Sequence, residues 1–142
     1  MRTEVIRGIT VRPLRRGATE VVQAVFDGLG PESRLRRFGG AKNVLLPGDL
    51  DALTRIDHRH HALVAWVGGA PIGIARLVRD RDSAEVAFAV VDEWQGRGVG
   101  RLLVDRLAED ARAAGITRFT ADVQPDNAPS RALLRRLRIA AA

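Results

Sequence analysis

Two short stretches carry residue types that could do chemistry. In Gln95-Gly96-Arg97-Gly98-Val99-Gly100-Arg101, three glycines fall within five residues, between an apolar run and an amphipathic helix. Glycine lets the backbone curl and leaves the amides open to a ligand, because no Cβ stands in the way. The first amides of the following helix have no internal partners, and the helix dipole adds partial positive charge. Together these properties make a site for an anion, with a pyrophosphate the best match. The second stretch is Ala84-Glu85-Val86-Ala87-Phe88-Ala89-Val90-Val91, whose Glu85 lies ten positions before Gln95. A carboxylate in apolar company is costly unless it is paired, for instance with Arg76, or functional.

The elements that must position these residues follow from periodicity and turn signals. Alternation predicts a first strand over 3–12, ended by Pro13. Thr19 is placed to cap a helix over 20–27, with Gly28 and Gly30 as stops. Pro31 opens a helix over 31–38, and Asp49 can cap another over 50–56. Strands over 61–67 and 72–78 are joined by Gly68-Gly69, and a third runs over 83–91. After the glycine loop comes a helix over 99–114, with Asp110 a single charge on its apolar face and Gly115 its stop. A strand over 117–123, a turn at Pro125-Asp126-Asn127 and a helix over 128–137 complete the pattern. The expectation is one α/β domain over 1–142: a mixed α+β sheet with packed helices and a parallel crossover between 85 and 123.

Composition narrows the partners. The chain has 142 residues, 46% hydrophobic and 28% charged, as in an ordinary soluble domain. It has no apolar run of membrane-spanning length and no signal-like start, so no membrane role is expected. The absence of cysteine points to a cytoplasmic home. Lys42 is the only lysine among 23 basic residues, and the net charge is +6. That charge could serve an acidic partner or simply reflect an Arg-rich composition. Nucleic acid ranks last, because aromatics are only 4% of the chain and stacking platforms are scarce. His58, His60 and His61 lack a cysteine or a regular ligand spacing and read as a polar lead-in to a strand, so no metal is expected.

The glycine loop is not a Walker loop, which needs a lysine the loop lacks. Its spacing and late position do not fit a dinucleotide fingerprint either. Read as [Gln/Arg]-x-x-Gly-x-[Gly/Ala], the Gln95–Gly100 motif resembles that of the GNAT acetyltransferase superfamily. Arg12-Pro13, the hairpin, and Asn127 followed by Ser130 and Leu133 fall where such a domain has them. Pro31-Glu32-Ser33-Arg34-Leu35-Arg36-Arg37-Phe38 and the Glu85 strand look like bacterial protein lysine acetyltransferases of the Pat type.

The resemblance implies a GNAT-like acyl-CoA N-acyltransferase fold and acetyl-CoA as cosubstrate. It implies that Val90 and Val91 offer backbone groups to the pantetheine arm, with Asn127 and Ser130 beside that arm. Gln95, Gly96, Gly98, Val99 and Gly100 would hold the pyrophosphate, with Arg97 and Arg101 adding charge or forming a solvated helix start. Acetyl transfer needs a neutral amine, whereas a lysine amine has a reference pKa near 10.4. A carboxylate whose pKa burial has raised can take that proton, and the resemblance assigns this general-base role to Glu85.

Two departures stand out. Many members carry a tyrosine as general acid where this chain has Leu134, and the chain contains no tyrosine. Members also add two strands after the last helix, so the fold is expected to lack its last C-terminal strands and to expose a sheet edge that a homodimer could cover. The function these features imply is transfer of an acetyl group to a primary amine, a protein lysine favoured over a small molecule. The alternative is an acyl-CoA-binding regulatory module with weak or no turnover.

Overall fold

A computed structural model of the chain describes residues 4–6, 8–38, 44–123 and 127–142. Its centre is a six-stranded sheet in the order β1-β2-β3-β4-β5-β6. These strands are β1 (Glu4–Ile6), β2 (Ile9–Pro13), β3 (His60–Val67), β4 (Ala70–Asp80), β5 (Ser83–Val90) and β6 (Arg118–Thr120). All neighbours are antiparallel except β5 and β6, which are parallel. The single strand expected over 3–12 is instead a hairpin, with Ile6 paired to Ile9 across Gly8. Gly8 has φ +81, a conformation that glycine adopts without penalty and that reverses the chain. The Gly68-Gly69 turn joins β3 to β4 as expected.

Helices cover both faces. On one lie α1 (Thr19–Asp27), α2 (Pro31–Phe38) and α3 (Pro47–Leu53); on the other lie α4 (Val99–Ala113) and α5 (Ala128–Ala140). Val21, Val22 and Phe26 of α1 pack with Ala62 and Val64 of β3 in one core. Leu103 and Leu107 of α4 and Leu137 of α5 pack with Leu63, Ala75 and Val86 in the other. Several boundaries differ from expectation. Ala18, not Thr19, is the N-cap of α1, and α3 starts at Pro47, where the Asp49 carboxylate accepts the Leu46 amide at 2.8 Å. β6 stops at Thr120, and α5 continues to Ala140.

The charge expected on the apolar face of α4 is accommodated by partners. The Asp110 carboxylate meets His61 Nε2 at 2.8 Å and Arg106 Nε at 3.3 Å. Burial works to raise the Asp110 pKa, but the His61 hydrogen bond and the charges of His61 and Arg106 outweigh it and hold the carboxyl below its usual range.

The pairing of β5 with β6 is short, and this shapes the site. Register joins only Ser83, Ala84 and Glu85 to Arg118, Phe119 and Thr120. Beyond Glu85 the two strands part, leaving the β6-facing edge of β5 without a strand partner among the described residues. The expected open edge of the sheet is the far side of β6. There the Arg138 guanidinium of α5 donates to the Phe119 carbonyl at 2.8 and 3.2 Å, so that edge carbonyl is satisfied from within the chain.

Candidate active site

Where β5 and β6 separate, a cleft of about 1040 Å³ opens between β5, the glycine loop, α2 and the start of α5. It is at the upper end of the usual size for a small-molecule site. The sequence-derived residues Glu85, Val90, Gln95, Gly96, Gly98, Val99, Gly100, Arg101, Asn127 and Ser130 all line it. Val91 and Arg97 do not. The Val91 side chain is buried in the core, and its amide donates to Ile72 O at 2.9 Å, completing the sheet rather than serving a ligand. The Arg97 guanidinium stacks over the Trp94 ring, 4.8 Å from its centroid.

Because the Val91 amide points to β4, the period-2 alternation turns the peptide groups of Val90 and Phe88 toward the cleft. After Val91 the chain makes one turn of 3-10 helix, Asp92–Trp94, which the sequence pattern did not announce. Gly96 and Gly98 then take φ +74 and +87, Gly98 serving as the left-handed N-cap of α4. A Cβ on either would meet nothing within 4 Å, so conformation, not space, calls for glycine here. No side chain caps α4, and its first turn holds no acidic residue. Arg101 stands there instead, a charge that the helix dipole disfavours unless an anion is nearby. The first amides of α4 therefore have neither a side-chain cap nor a carboxylate of their own helix to meet them. Gly100 has a different job: a Cβ there would lie 2.9 Å from Leu133 Cδ1, so the glycine lets α4 and α5 approach.

The Gln95 side chain braces the loop. Its Nε2 donates to Val90 O at 3.0 Å, to Ser33 Oγ at 3.1 Å and to Asp92 Oδ1 at 3.4 Å. Asp92 accepts the Gly30 amide at 3.0 Å and the Ser33 hydroxyl at 2.6 Å, while its own amide donates to Gly28 O at 2.9 Å. This knot ties the α1–α2 connection to the loop that leads into α4. It also explains Gly28 and Gly30, which read from sequence only as helix stops. A Cβ on Gly28 would come within 2.8 Å of Val91 Cβ, and one on Gly30 would collide with the Asp92 carboxylate. Asp92 and Ser33 left no sequence signal, because the contact joins residues far apart in the chain. Replacing Asp92 with Ala should remove this tie at a cost of about 1–2 kcal/mol, lowering Tm by roughly 3–8 °C in a thermal melt.

Asn127 is buried, and its Oδ1 accepts the Ser130 amide at 3.3 Å, so it caps α5 on the wall of the cleft.

Glu85 corrects one expectation. It is exposed, not buried among apolar neighbours, because β5 alternates: Ala84, Val86 and Phe88 face the α4–α5 core, while Glu85 and Ala87 face the side of α1 and α2. It does not pair with Arg76, whose guanidinium donates to Ala52 O at 2.7 Å and Leu53 O at 2.9 Å at the end of α3. The neighbouring cation is Arg37 of α2, which lines the cleft with Glu85. Burial and the charge of Arg76 push Arg37 below the usual arginine range, and the charge of Glu85 opposes them. Asp122 adds a second exposed carboxylate to the lining. Leu134 packs against the core, and Ser130 is the hydroxyl on the α5 side.

Two residues of the histidine run, His60 and His61, have carboxylate partners within the fold, Asp57 and Asp110. His60 Nδ1 lies 2.7 Å from Asp57 Oδ1, and this hydrogen bond, with the Arg59 amide, lowers the Asp57 carboxyl to about 2. Among the described residues no group of three or more potential ligands is placed to hold a metal ion, and no helix is long and apolar enough to cross a membrane.

The profile of the acetyltransferase (GNAT) family matches residues 32–138, a span that runs from α2 to α5 and takes in the glycine loop and the parting of β5 from β6. The chain belongs to this family. More particularly, it is 38% identical over 94 residues to Acetyltransferase Pat of Mycolicibacterium smegmatis, an alignment taking in 62% of this chain and 28% of that longer protein. It is 31% identical over 134 residues to Acetyltransferase PA5475 of Pseudomonas aeruginosa, covering 89% of this chain and 70% of that one. Among solved structures, the GNAT domain of S. lividans PAT superposes with a TM-score of 0.86 at 31% identity, covering 96% of this chain and 85% of that domain.

Proposed function

We propose that the chain transfers the acetyl group of acetyl-CoA directly to a primary amine, with a protein lysine favoured over a small molecule. The observation that carries this reading is that Glu85 stands in the same cleft as the uncapped start of α4, at the point where β5 and β6 part. In this reading the pyrophosphate rests on the amides of α4, and the pantetheine arm follows the open edge of β5, as an added strand would. The cleft-facing peptide groups of β5 polarise the thioester carbonyl. The amine nitrogen attacks that carbonyl, the C–N bond forms and the C–S bond breaks. Glu85 takes the amine proton directly or through one water, and the departing thiolate takes a proton from solvent or by way of Ser130. Two carboxylates, Glu85 and Asp122, at the acceptor end suit an amine that arrives as a cation.

The test is release of free thiol from acetyl-CoA against lysine-bearing peptides and small amines. Peptide-dependent release exceeding that with small amines is expected. Coenzyme A raising Tm with no thiol release from any acceptor would instead favour a binding module, a reading to which the absent tyrosine lends support.

A further inference from the structure

We propose that the end of the sheet opposite the glycine loop docks an acidic segment of the protein that carries the acceptor lysine. The proposal rests on the reading that the acceptor is a protein lysine.

β2 and β4 end here, and β3, β5 and β6 begin here, with residues 14–17, 54–59 and 81–82 forming the loops around them. Arg15, Arg16, Arg55, Arg59, Arg79 and Arg81 stand on these stretches, all exposed except the half-buried Arg79. The same stretches carry the carboxylates of Asp57, Asp80 and Asp82. Asp57 is taken by His60 at 2.7 Å and Asp82 by Arg118 at 3.0 Å, which leaves Asp80. None of the six arginines has an ion-pair partner among the described residues. Uncompensated positive charge of a chain with net charge +6 is therefore gathered at this end.

Three of these guanidinium groups are already oriented. Arg16 Nε donates to Ile56 O at 3.1 Å, Arg59 Nε to Arg79 O at 3.1 Å and Arg79 Nε to Arg81 O at 2.7 Å. With Nε tied to a carbonyl, the planar fork is held in place, and its two terminal nitrogens match the two oxygens of a carboxylate. Arg81 adds a second sign. It has φ +60, a left-handed conformation in which glycine or asparagine is the ordinary residue. The turn keeps its charge against the preference of its backbone.

The chemistry selects an acidic polypeptide. These stretches contain no Phe, Trp or Tyr on which a base could stack. The exposed large hydrophobic residues, Leu35, Val44, Leu46 and Ile139, lie elsewhere, so nothing here enters a lipid surface. Position ties the patch to the acceptor. β5 opens at this end with Ser83, and Glu85 is two residues further in, about 7 Å at ~3.3 Å per residue. The glycine loop follows the other end of β5. An extended chain with its lysine at Glu85 reaches the level of Arg81 within about three residues.

Fluorescence anisotropy with lysine peptides tests docking apart from turnover. A run of aspartates starting about three residues from the lysine should tighten binding about tenfold over the same peptide with serines there. Raising the salt to about 1 M should erase most of that gain, and replacing the lysine with methionine should preserve it. In thiol release the preference should appear in KM and not in kcat. Arg59→Glu should weaken the acidic peptide about fivefold, whereas Arg135→Glu, the same charge change on exposed α5, should leave it within twofold. Arg81→Gly should weaken it about threefold while holding Tm or raising it by up to about 4 °C, because the strain at 81 is relieved. Equal or tighter binding of the serine peptide, or an equal loss in Arg135→Glu, overturns the proposal. So does tighter binding of a thymidine oligonucleotide of equal charge, which would make this end a nucleic-acid surface. Acidic-peptide binding that Arg59→Glu weakens, with no thiol release from any acceptor, would count against the proposed transfer and leave docking of the acidic segment standing.

Discussion

Replacing Glu85 with Gln is expected to lower kcat/KM for a lysine peptide by about a thousandfold near neutral pH, with coenzyme A affinity within twofold of the unaltered protein. The size follows from the proton. A lysine amine with a reference pKa near 10.4 is neutral in only about one molecule in a thousand at pH 7.4. An enzyme whose carboxylate takes the proton in the complex can use the abundant ammonium form. Its transition state then carries the same protons as free enzyme plus ammonium, so kcat/KM is level between the pKa of the carboxylate and that of the amine. With Gln at 85 the transition state has lost that proton, and only the neutral amine reacts. The logarithm of kcat/KM should then climb one unit per pH unit and approach the unaltered enzyme near pH 10. Parallel pH profiles for the two proteins would remove Glu85 from the proton path, leaving it at most a binding residue.

The expected loss does not depend on burial of Glu85, which is exposed. Read along the chain, Glu85 stands among apolar residues, which suggested a carboxylate perturbed by desolvation. In the sheet those residues divide between two faces, and Glu85, on the face toward α1 and α2, is exposed in the lining of the cleft. Sequence order had kept the residue and misjudged its surroundings, because a strand buried on one face and open at one edge still reads as a nearly continuous apolar run. The glycine loop was more legible: Gly96 and Gly98 sit at positive φ before a helix start, as a conformational reading of glycine requires. Gly100, with the same residue type in the same motif, has its reason in Leu133 on another helix, which no local pattern encodes. The first hairpin was missed because alternation on both sides of Gly8 looks like one strand until the glycine is read as a turn. The knot around Asp92 and the placement of Arg37 beside Glu85 are contacts between the second helix and the sheet. They depend on how α2 packs, which single-chain periodicity cannot supply.

These placements also separate what the loop does from what its neighbours do. Gln95 and Asp92 use their side chains on the protein itself, and Arg97 rests on Trp94, so in the proposed function the pyrophosphate would meet the backbone of Gly98, Val99 and Gly100, with Arg101 close by. A backbone site depends on dihedral angles more than on side-chain identity.

Gly98→Ala should therefore weaken acetyl-CoA by about ten- to a hundredfold, although the added methyl meets no atom within 4 Å. An L-residue held at φ +87 is strained by roughly 1–2 kcal/mol, and the chain relieves that by rotating the N-cap peptide. The rotation turns the first amides of α4 away from the position where they point together at an anion, adding lost charge-assisted hydrogen bonds to the strain. Gly100→Ala is the matched control. Its methyl presses on the movable Leu133 Cδ1 at 2.9 Å, and its backbone needs no positive φ, so acetyl-CoA affinity should change less than threefold. The decisive comparison uses acetyl-pantetheine, which lacks the pyrophosphate. Gly98→Ala should leave kcat/KM for that truncated donor within twofold of the unaltered protein while kcat/KM for acetyl-CoA drops more than tenfold. Equal losses with both donors would mean that the substitution disturbs β5 or α5 rather than a pyrophosphate cradle, and the assignment of this loop would have to be abandoned.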